Sequence, residues 1–219
     1  MRKQKKLPSR RKRALRRCAL LLLALALAGV TGVYEFVPAR GIRSLADRVG
    51  VEEPRVVTWF YDPAIPNSRS GIHMLVDGDR AMMLCYSGFS LSCGWEGGAW
   101  TAAQTWDGSG LYGGVYAHWQ GDDRLGYVFG KITDPDICRV TLRCGTQGEE
   151  LATMDVPETA VFAAEDGGAR YFLAPLTEKV MEASKYHTEQ HFLTGEAEDG
   201  GEVLTVEIRA RHWASAGDF

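Results

Sequence analysis

Short segments in which apolar and polar residues alternate recur along most of this 219-residue chain. Alternation with a period of two is typical of a β-strand with one buried face. Turns rich in Gly, Asp and Pro separate these segments, which favours antiparallel β-structure over alternating strands and helices. We therefore predict a mainly β fold, either a sandwich, of which the immunoglobulin-like arrangement is one form, or a partly open barrel. One helix in the C-terminal half and an N-terminal membrane segment complete the predicted architecture.

The predicted strands are short and regularly spaced. They cover residues 56–61, 72–76, 80–86, 114–119, 126–133, 137–144, 159–164, 169–173 and 202–212. Asp77-Gly78 and Asp166-Gly167-Gly168 are typical hairpin turns between neighbouring strands. Residues 176–192 form the only long helical candidate, since Pro175 suits a first helical turn and Gly195 follows as a stop signal.

The first 17 residues carry ten Lys and Arg side chains and no acidic one, and an uncharged run from Cys18 to Val33 follows directly. A basic segment before an apolar one is the usual order of an export signal, because basic residues resist translocation. We therefore expect the N-terminus to remain in the cytoplasm. The rest of the chain is expected outside.

Two fates of this segment remain open. Ala26-Leu27-Ala28 before Gly29 fits the small-x-small site of signal peptidase, which predicts secretion after cleavage at Ala28. Against cleavage, the apolar run continues to Tyr34 and Phe36, whose rings suit the outer membrane interface. A helix over 18–33 spans about 24 Å, short of the roughly 30 Å hydrocarbon core. The other outcome is a single-pass anchor with the C-terminal domain outside.

These features divide the chain into four parts. We predict a basic cytoplasmic leader (1–17), a signal anchor or signal peptide (18–37), a juxtamembrane connector (38–50) and one extracytoplasmic β-rich domain (51–219). Without the ten leader charges, the chain has 15 basic and 28 acidic residues, a formal charge of −13. A nucleic-acid surface needs a basic face, so nucleic acid is excluded as a partner. Contact with the membrane is expected only through the N-terminal segment.

Four cysteines lie beyond the apolar run, namely Cys85, Cys93, Cys138 and Cys144. In an exported domain they either form disulfides or remain buried thiols. Cys138 and Cys144 end one predicted strand and are roughly 20 Å apart at about 3.3 Å per residue, which is too far for a disulfide. We therefore predict that these two do not pair with each other.

His187 and His191 are four residues apart on the predicted helix, which is the spacing of zinc ligands in peptidases. Glu189 lies between them, whereas zinc-peptidase motifs place the carboxylate next to a histidine. We therefore predict surface or core-edge histidines, with a zinc site as the alternative. No Gly-x-Ser-x-Gly motif is present, and no exported cysteine has a basic setting that would activate its thiol. No catalytic residue and no cofactor is predicted.

The segment from Gly94 to Trp119 concentrates aromatic residues among glycines. The rings that we predict to form a ligand-facing surface are Trp95, Trp100, Trp106, Tyr112, Tyr116 and Trp119. Flat rings beside flexible backbone suit stacking on a sugar or contact with an apolar peptide. The alternative is that these rings complete the core of the β-domain.

The segment from Gly126 to Val140 combines Tyr127, Gly130, Asp134-Pro135 and Ile137 in one strand-turn-strand pattern. It resembles a passage in uncharacterised exported or membrane-anchored β-domain proteins of Gram-positive bacteria. The resemblance implies an immunoglobulin-like sandwich, and it implies no catalytic motif and no role for any residue.

Together these features predict a membrane-tethered extracytoplasmic module that binds a protein or another cell-envelope component, such as a glycan, without catalysis. The alternative is a cell-envelope hydrolase whose carboxylates or metal are assembled only in the fold. The acidic groups Asp122/Asp123, Asp134/Asp136 and Glu196/Glu198/Asp199 could supply glycosidase carboxylates or a calcium loop. They match no ligand pattern, so we predict solvated turn residues.

Overall fold

The computed structural model of the protein describes residues 10–31, 42–43, 53–61, 71–77, 81–91, 94–99, 104–105, 108–120, 123–146, 149–163, 168–184, 190–208 and 210–212. These residues are mainly β-structure, as predicted. The strands are β1 (Arg55–Tyr61), β2 (Gly71–Asp77), β3 (Ala81–Ser90), β4 (Gly94–Ala99), β5 (Gln104–Thr105), β6 (Leu111–Gln120), β7 (Asp123–Ile132), β8 (Arg139–Thr146), β9 (Glu149–Asp155), β10 (Val161–Ala163), β11 (Arg170–Pro175), β12 (Gln190–Glu196), β13 (Glu202–Ile208) and β14 (Ala210–His212). The helices are α1 (Arg10–Val30) and α2 (Glu178–Ala183), and a 3-10 helix covers Glu158–Ala160.

The strands pair into three sheets. Sheet 1 has the order β1-β2-β3-β4, and β5 also pairs with β3. Sheet 2 has the order β10-β11-β7-β6-β14, and sheet 3 has the order β13-β12-β8-β9. The described pairs are antiparallel except that β14 runs parallel to β6. Both predicted hairpins are confirmed, since β2 pairs with β3 and β10 pairs with β11.

Sheet 2 contributes to two hydrophobic cores. On β7, Val128 and Ile132 belong to a core shared with sheet 3, whereas Tyr127 and Phe129 belong to a core shared with sheet 1. The partners of β7 include Val140, Leu142, Met154 and Leu193 from sheet 3 and Met74, Val76, Met82 and Leu84 from sheet 1. A strand that is buried on both faces needs apolar residues on both faces, which explains the composition of β7.

The Gly-rich segment from Gly94 to Trp119, which we interpreted as a loop with flexible backbone, is largely strand in its described residues. Gly113 on β6 is directly opposite Gly130 on β7. A Cβ on Gly113 would collide with the backbone oxygen of Phe129 and would lie 2.7 Å from Leu193 Cδ1, and a Cβ on Gly130 would collide with the Phe172 ring. These glycines permit close packing inside the molecule. The interpretation of this part as a flexible loop is therefore wrong.

The segment that links β7 to β8 crosses from sheet 2 to sheet 3. Asp134 Oδ1 accepts a hydrogen bond from the backbone N–H of Asp136 at 2.9 Å, a contact that shapes turns. The guanidinium of Arg170 on β11 donates to the backbone oxygen of Asp134 at 3.0 Å. Ile137 then fills a buried position next to Gly195. Asp134 therefore has a structural role in this crossing.

The prediction of a long helix over 176–192 is wrong. Helix α2 ends at Ala183, and β12 begins at Gln190. β12 is an inner strand of sheet 3, paired with β8 on one edge and β13 on the other. The hydrogen bonds that β12 makes with strands on both edges outweigh the helical propensity that its sequence pattern indicates. The predicted strand over 202–212 is likewise divided, because β13 belongs to sheet 3 and β14 to sheet 2.

Helix α1 begins in the basic leader and extends into the apolar run. Leu20, Leu22 and Val30 are among its exposed residues. None of the helices in the described ranges combines enough length with enough apolar character to cross a membrane. The predicted N-terminal membrane segment therefore has no support from this helix. Apart from Ile42 and Arg43, the predicted connector lies outside the described residues.

Candidate binding site

The tip of the β3–β4 hairpin combines aromatic and aliphatic side chains. Phe89 on β3 is directly opposite Trp95 on β4, and the two rings meet edge to face with their centroids 5.6 Å apart. Leu91, at the turn, is 86% exposed. Cross-strand aromatic pairs prefer this geometry, so the ring pair has a defined orientation beside the exposed leucine. We refer to Phe89, Leu91 and Trp95 as the hairpin tip.

The hairpin tip provides apolar contact surface. Among the described large apolar side chains outside α1, Leu91 is the most exposed. Covering a leucine completely is worth about 1.5–3 kcal/mol relative to leaving it in water. The neighbouring rings of Phe89 and Trp95 are half-buried, and aromatic rings suit contact with a sugar or an apolar peptide. The tip therefore has the composition of a binding surface.

Two of the other predicted binding aromatics, Tyr112 and Tyr116, belong to the core between sheets 1 and 2. Tyr116 on β6 is only 2% exposed in the core between sheets 1 and 2, so its assignment to a ligand-facing surface is wrong. Tyr112 is half-buried against the same core, because residues an even number apart share one face of a strand. The side chain of Trp119 lies outside the described residues, as do Trp100 and Trp106 entirely.

Lys131 is a buried residue that sequence analysis missed. In the strand register it lies between Tyr112 on β6 and Tyr171 on β11. Its Nζ is 6.0 Å from the centroid of the Tyr171 ring, and that ring stacks on Phe162 at 6.1 Å. The negative faces of aromatic rings attract a cation. In the sequence, Lys131 is simply a polar residue in an alternating strand. Its aromatic neighbours lie on two other strands, so they can be identified only from the pairing of β6, β7 and β11.

A buried polar cluster joins α2 to sheet 3. Ser184 Oγ is 2.8 Å from His191 Nε2 and 3.9 Å from Cys144 Sγ. A serine hydroxyl beside a histidine is the arrangement of a nucleophile and its general base. All three side chains are buried, so the hydroxyl is not accessible to a substrate. The contacts instead fix the end of α2 against β8 and β12.

The two histidines do not form the helical pair that their spacing suggested. His191 is on strand β12, and His187 lies outside the described residues. Within the part of the chain that is described, no three His, Cys, Asp or Glu side chains are grouped so as to hold a metal ion. The zinc interpretation therefore has no geometric support in these ranges.

The cysteines occupy different environments. Cys138 is an exposed free thiol just before β8, and Cys144 is a buried free thiol on β8. Cys85 is buried on β3, and this burial raises the pKa of its thiol from 9.0 to about 12. Cys93 lies outside the described residues. No disulfide is present among the cysteines that are described.

No protein-family model matches this chain, and no curated protein sequence matches it. The functional assignment therefore depends on the chemistry and geometry of the chain itself. Among the features above, the hairpin tip is the surface best suited to contact another molecule.

Proposed function

We propose that the protein is a non-catalytic extracytoplasmic module that binds a protein or another component of the cell envelope through its hairpin tip. The observation that carries this proposal is the exposure of Leu91 beside the edge-to-face pair of Phe89 and Trp95. Exposed apolar surface of this kind is typical of interaction sites. A surface built on paired strands is already ordered, so binding loses little conformational entropy.

Export is the part of the proposal that depends on the N-terminal sequence. A basic run before apolar residues retains the N-terminus in the cytoplasm and directs the following chain outward. Protease added to intact protoplasts should then digest the β-rich domain, whereas protection of the domain would contradict export. The intact mass of the mature protein separates a membrane-tethered chain from one released by cleavage at Ala28.

We also propose that the β-rich part is a layered sandwich rather than a barrel. In support, sheet 2 contributes alternate residues to two cores, one with each neighbouring sheet. An immunoglobulin-like sandwich has two sheets around one core. We therefore favour a three-layer form over the immunoglobulin-like form.

A cell-envelope hydrolase is the second candidate function. Its geometric basis is the 2.8 Å contact between Ser184 Oγ and His191 Nε2. Rapid labelling of Ser184 by a fluorophosphonate probe in the folded protein would favour the hydrolase. Labelling only after unfolding would favour the binding module, because the hydroxyl is buried.

The binding proposal is tested by removing apolar contact without disturbing the fold. Leu91→Ser changes an exposed side chain, so the free energy of unfolding should change by less than about 0.5 kcal/mol. Val56→Ser is the matched control, because Val56 is exposed on the same sheet but its register places it at the opposite end from the tip.

The assay is co-sedimentation of the full-length chain with isolated cell envelopes. Leu91→Ser should weaken retention about tenfold, since a covered leucine contributes about 1.5–3 kcal/mol. Val56→Ser should leave retention unchanged. Equal retention of both variants and the parent chain would contradict the role of the hairpin tip.

A further inference from the structure

The β3–β4 hairpin extends beyond the end of the neighbouring strand β2. β2 pairs with β3 only as far as Ser87, which lies opposite Gly71, the first residue of β2. In the described part of the chain, the next three residues of β3, Gly88–Ser90, pair with β4 alone. At about 3.3 Å per residue, this two-stranded extension is about 10 Å long before the turn that contains Leu91. The hairpin tip is therefore the end of a projection.

This projection is uncharged toward its end. No Asp, Glu, Lys or Arg occurs between Ala81 and Trp95, although the chain beyond the leader has 15 basic and 28 acidic residues. The next charged residue is Glu96 on β4, which pairs with Gly88 in the register. Because Gly88 is three residues from Leu91, about 10 Å of hairpin can leave bulk water before a charged residue has to follow.

A depth of about 10 Å matches the interfacial region of a lipid bilayer, where peripheral apolar surfaces enter by about 5–10 Å. Tryptophan prefers this level because its ring is apolar and its N–H is polar. The backbone groups that face each other across the hairpin are paired, as Phe89 is with Trp95. The backbone groups on the outer edges still meet headgroup water at this depth, whereas the hydrocarbon core would leave them without partners.

We propose that the hairpin tip enters the interface of the lipid bilayer to which the N-terminal segment tethers the chain. This inference rests on the proposed function and names lipid as the envelope component that the tip binds. A fluid bilayer covers the 86% exposed side chain of Leu91 without a complementary pocket, whereas a protein partner needs a surface of matching shape. The tip is then a second membrane contact, besides the one that the sequence predicts for the N-terminal segment.

Charge determines which lipids suit this contact. The chain beyond the leader has a formal charge of −13, so anionic headgroups repel the domain and zwitterionic headgroups do not. The basic leader responds in the opposite way, because its ten Lys and Arg side chains are attracted to anionic lipid. One exposed leucine beside two half-buried rings gives weak binding alone, so the tether has to supply a high effective concentration.

The test uses the full-length chain reconstituted in phosphatidylcholine vesicles that contain no other protein. Bromine atoms on the acyl chains quench tryptophan fluorescence at short range, and the difference between the parent chain and Trp95→Phe isolates the emission of Trp95. Bromine near the headgroup end should quench this emission more strongly than bromine near the bilayer centre. Leu91→Ser should lower the equilibrium constant for tip insertion about tenfold. Val56→Ser, at the opposite end of the sheet, is the matched control and should leave it unchanged.

The results separate the lipid inference from the proposed function. Quenching of Trp95 that decreases in Leu91→Ser, and that decreases when phosphatidylglycerol is added, would support entry of the tip into the bilayer. No quenching of Trp95, or equal quenching in Leu91→Ser and the parent chain, would overturn it. If isolated envelopes still retain the parent chain better than Leu91→Ser, the tip binds a protein or a glycan and the proposed function stands. If envelope retention is also independent of Leu91, both fail.

Discussion

Replacing Gly113 by alanine should strongly destabilise the protein, because this glycine is enclosed where β6 meets β7. The added methyl group would collide with the backbone oxygen of Phe129 and would lie 2.7 Å from Leu193 Cδ1. A side chain can rotate away from such a contact, but a carbonyl oxygen on a paired central strand cannot. The strands must therefore separate locally, or their register must change.

The expected cost follows from this geometry. Overpacking a core costs about 1–3 kcal/mol. Because the added methyl group would meet backbone, we expect Gly113→Ala to lower the free energy of unfolding by about 3 kcal/mol. Alanine also reduces the conformational entropy of the unfolded chain, which stabilises the folded state by only about 0.4–1 kcal/mol. A net loss of at least about 2 kcal/mol lowers Tm by about 4–8 °C in a domain of this size.

Gly168→Ala is the matched control, because a Cβ at Gly168 has no atom within 4 Å. Urea unfolding and thermal melts of both variants, followed by circular dichroism, provide the measurement. Equal stability of the two variants would refute the packing of β6 against β7. It would also restore the interpretation of the Gly-rich segment as a loop.

The further predictions concern Tyr116, Ser184 and the cysteines Cys138 and Cys85. Tyr116→Ala should cost about 3–5 kcal/mol in urea unfolding, the range for deleting a buried aromatic side chain, and a cost under about 1 kcal/mol would place this ring on the surface. Ser184→Ala should cost about 1–3 kcal/mol, because it removes the hydroxyl that contacts the buried His191 ring, and an unchanged urea midpoint would contradict that contact. Cys138 should react with a thiol reagent in the folded protein and Cys85 only after unfolding. Because burial raises the pKa of Cys85 to about 12, the unfolded state loses its thiol proton first as pH rises above about 9, and stability should fall by up to about 1.4 kcal/mol per pH unit. This alkaline loss should be smaller in Cys85→Ala.

The features that could be predicted from sequence are those set by local patterns. β2 and β3 are largely apolar and flank the Asp77-Gly78 turn, so their existence and hairpin pairing follow from neighbouring residues. The separation of Cys138 from Cys144 follows in the same way, because it depends only on one extended segment.

The features that could not be predicted depend on pairing between distant segments. His187 and His191 have helical spacing, but β12 gains partners on both edges only when β8 and β13 are in place. Gly113 resembles a loop residue until the backbone of β7 lies against it. The second core of sheet 2 likewise requires sheets 1 and 3, which no local pattern identifies.

The candidate site was predictable only in part. Trp95 was among the aromatics proposed from the sequence, and its role in binding stays a prediction. Phe89 and Leu91 precede the aromatic segment, so their contribution is visible only once β3 pairs with β4.

The most direct test of the proposed function is photo-crosslinking from the hairpin tip in intact cells. A photoreactive amino acid replaces Leu91 in the full-length chain, and the same substitution at Val56 is the control. We predict that position 91 forms one dominant adduct with an envelope component, that the added Trp95→Ala substitution weakens this adduct, and that position 56 does not form it. Identical adduct patterns from the two positions, or no adduct from position 91, would contradict the account.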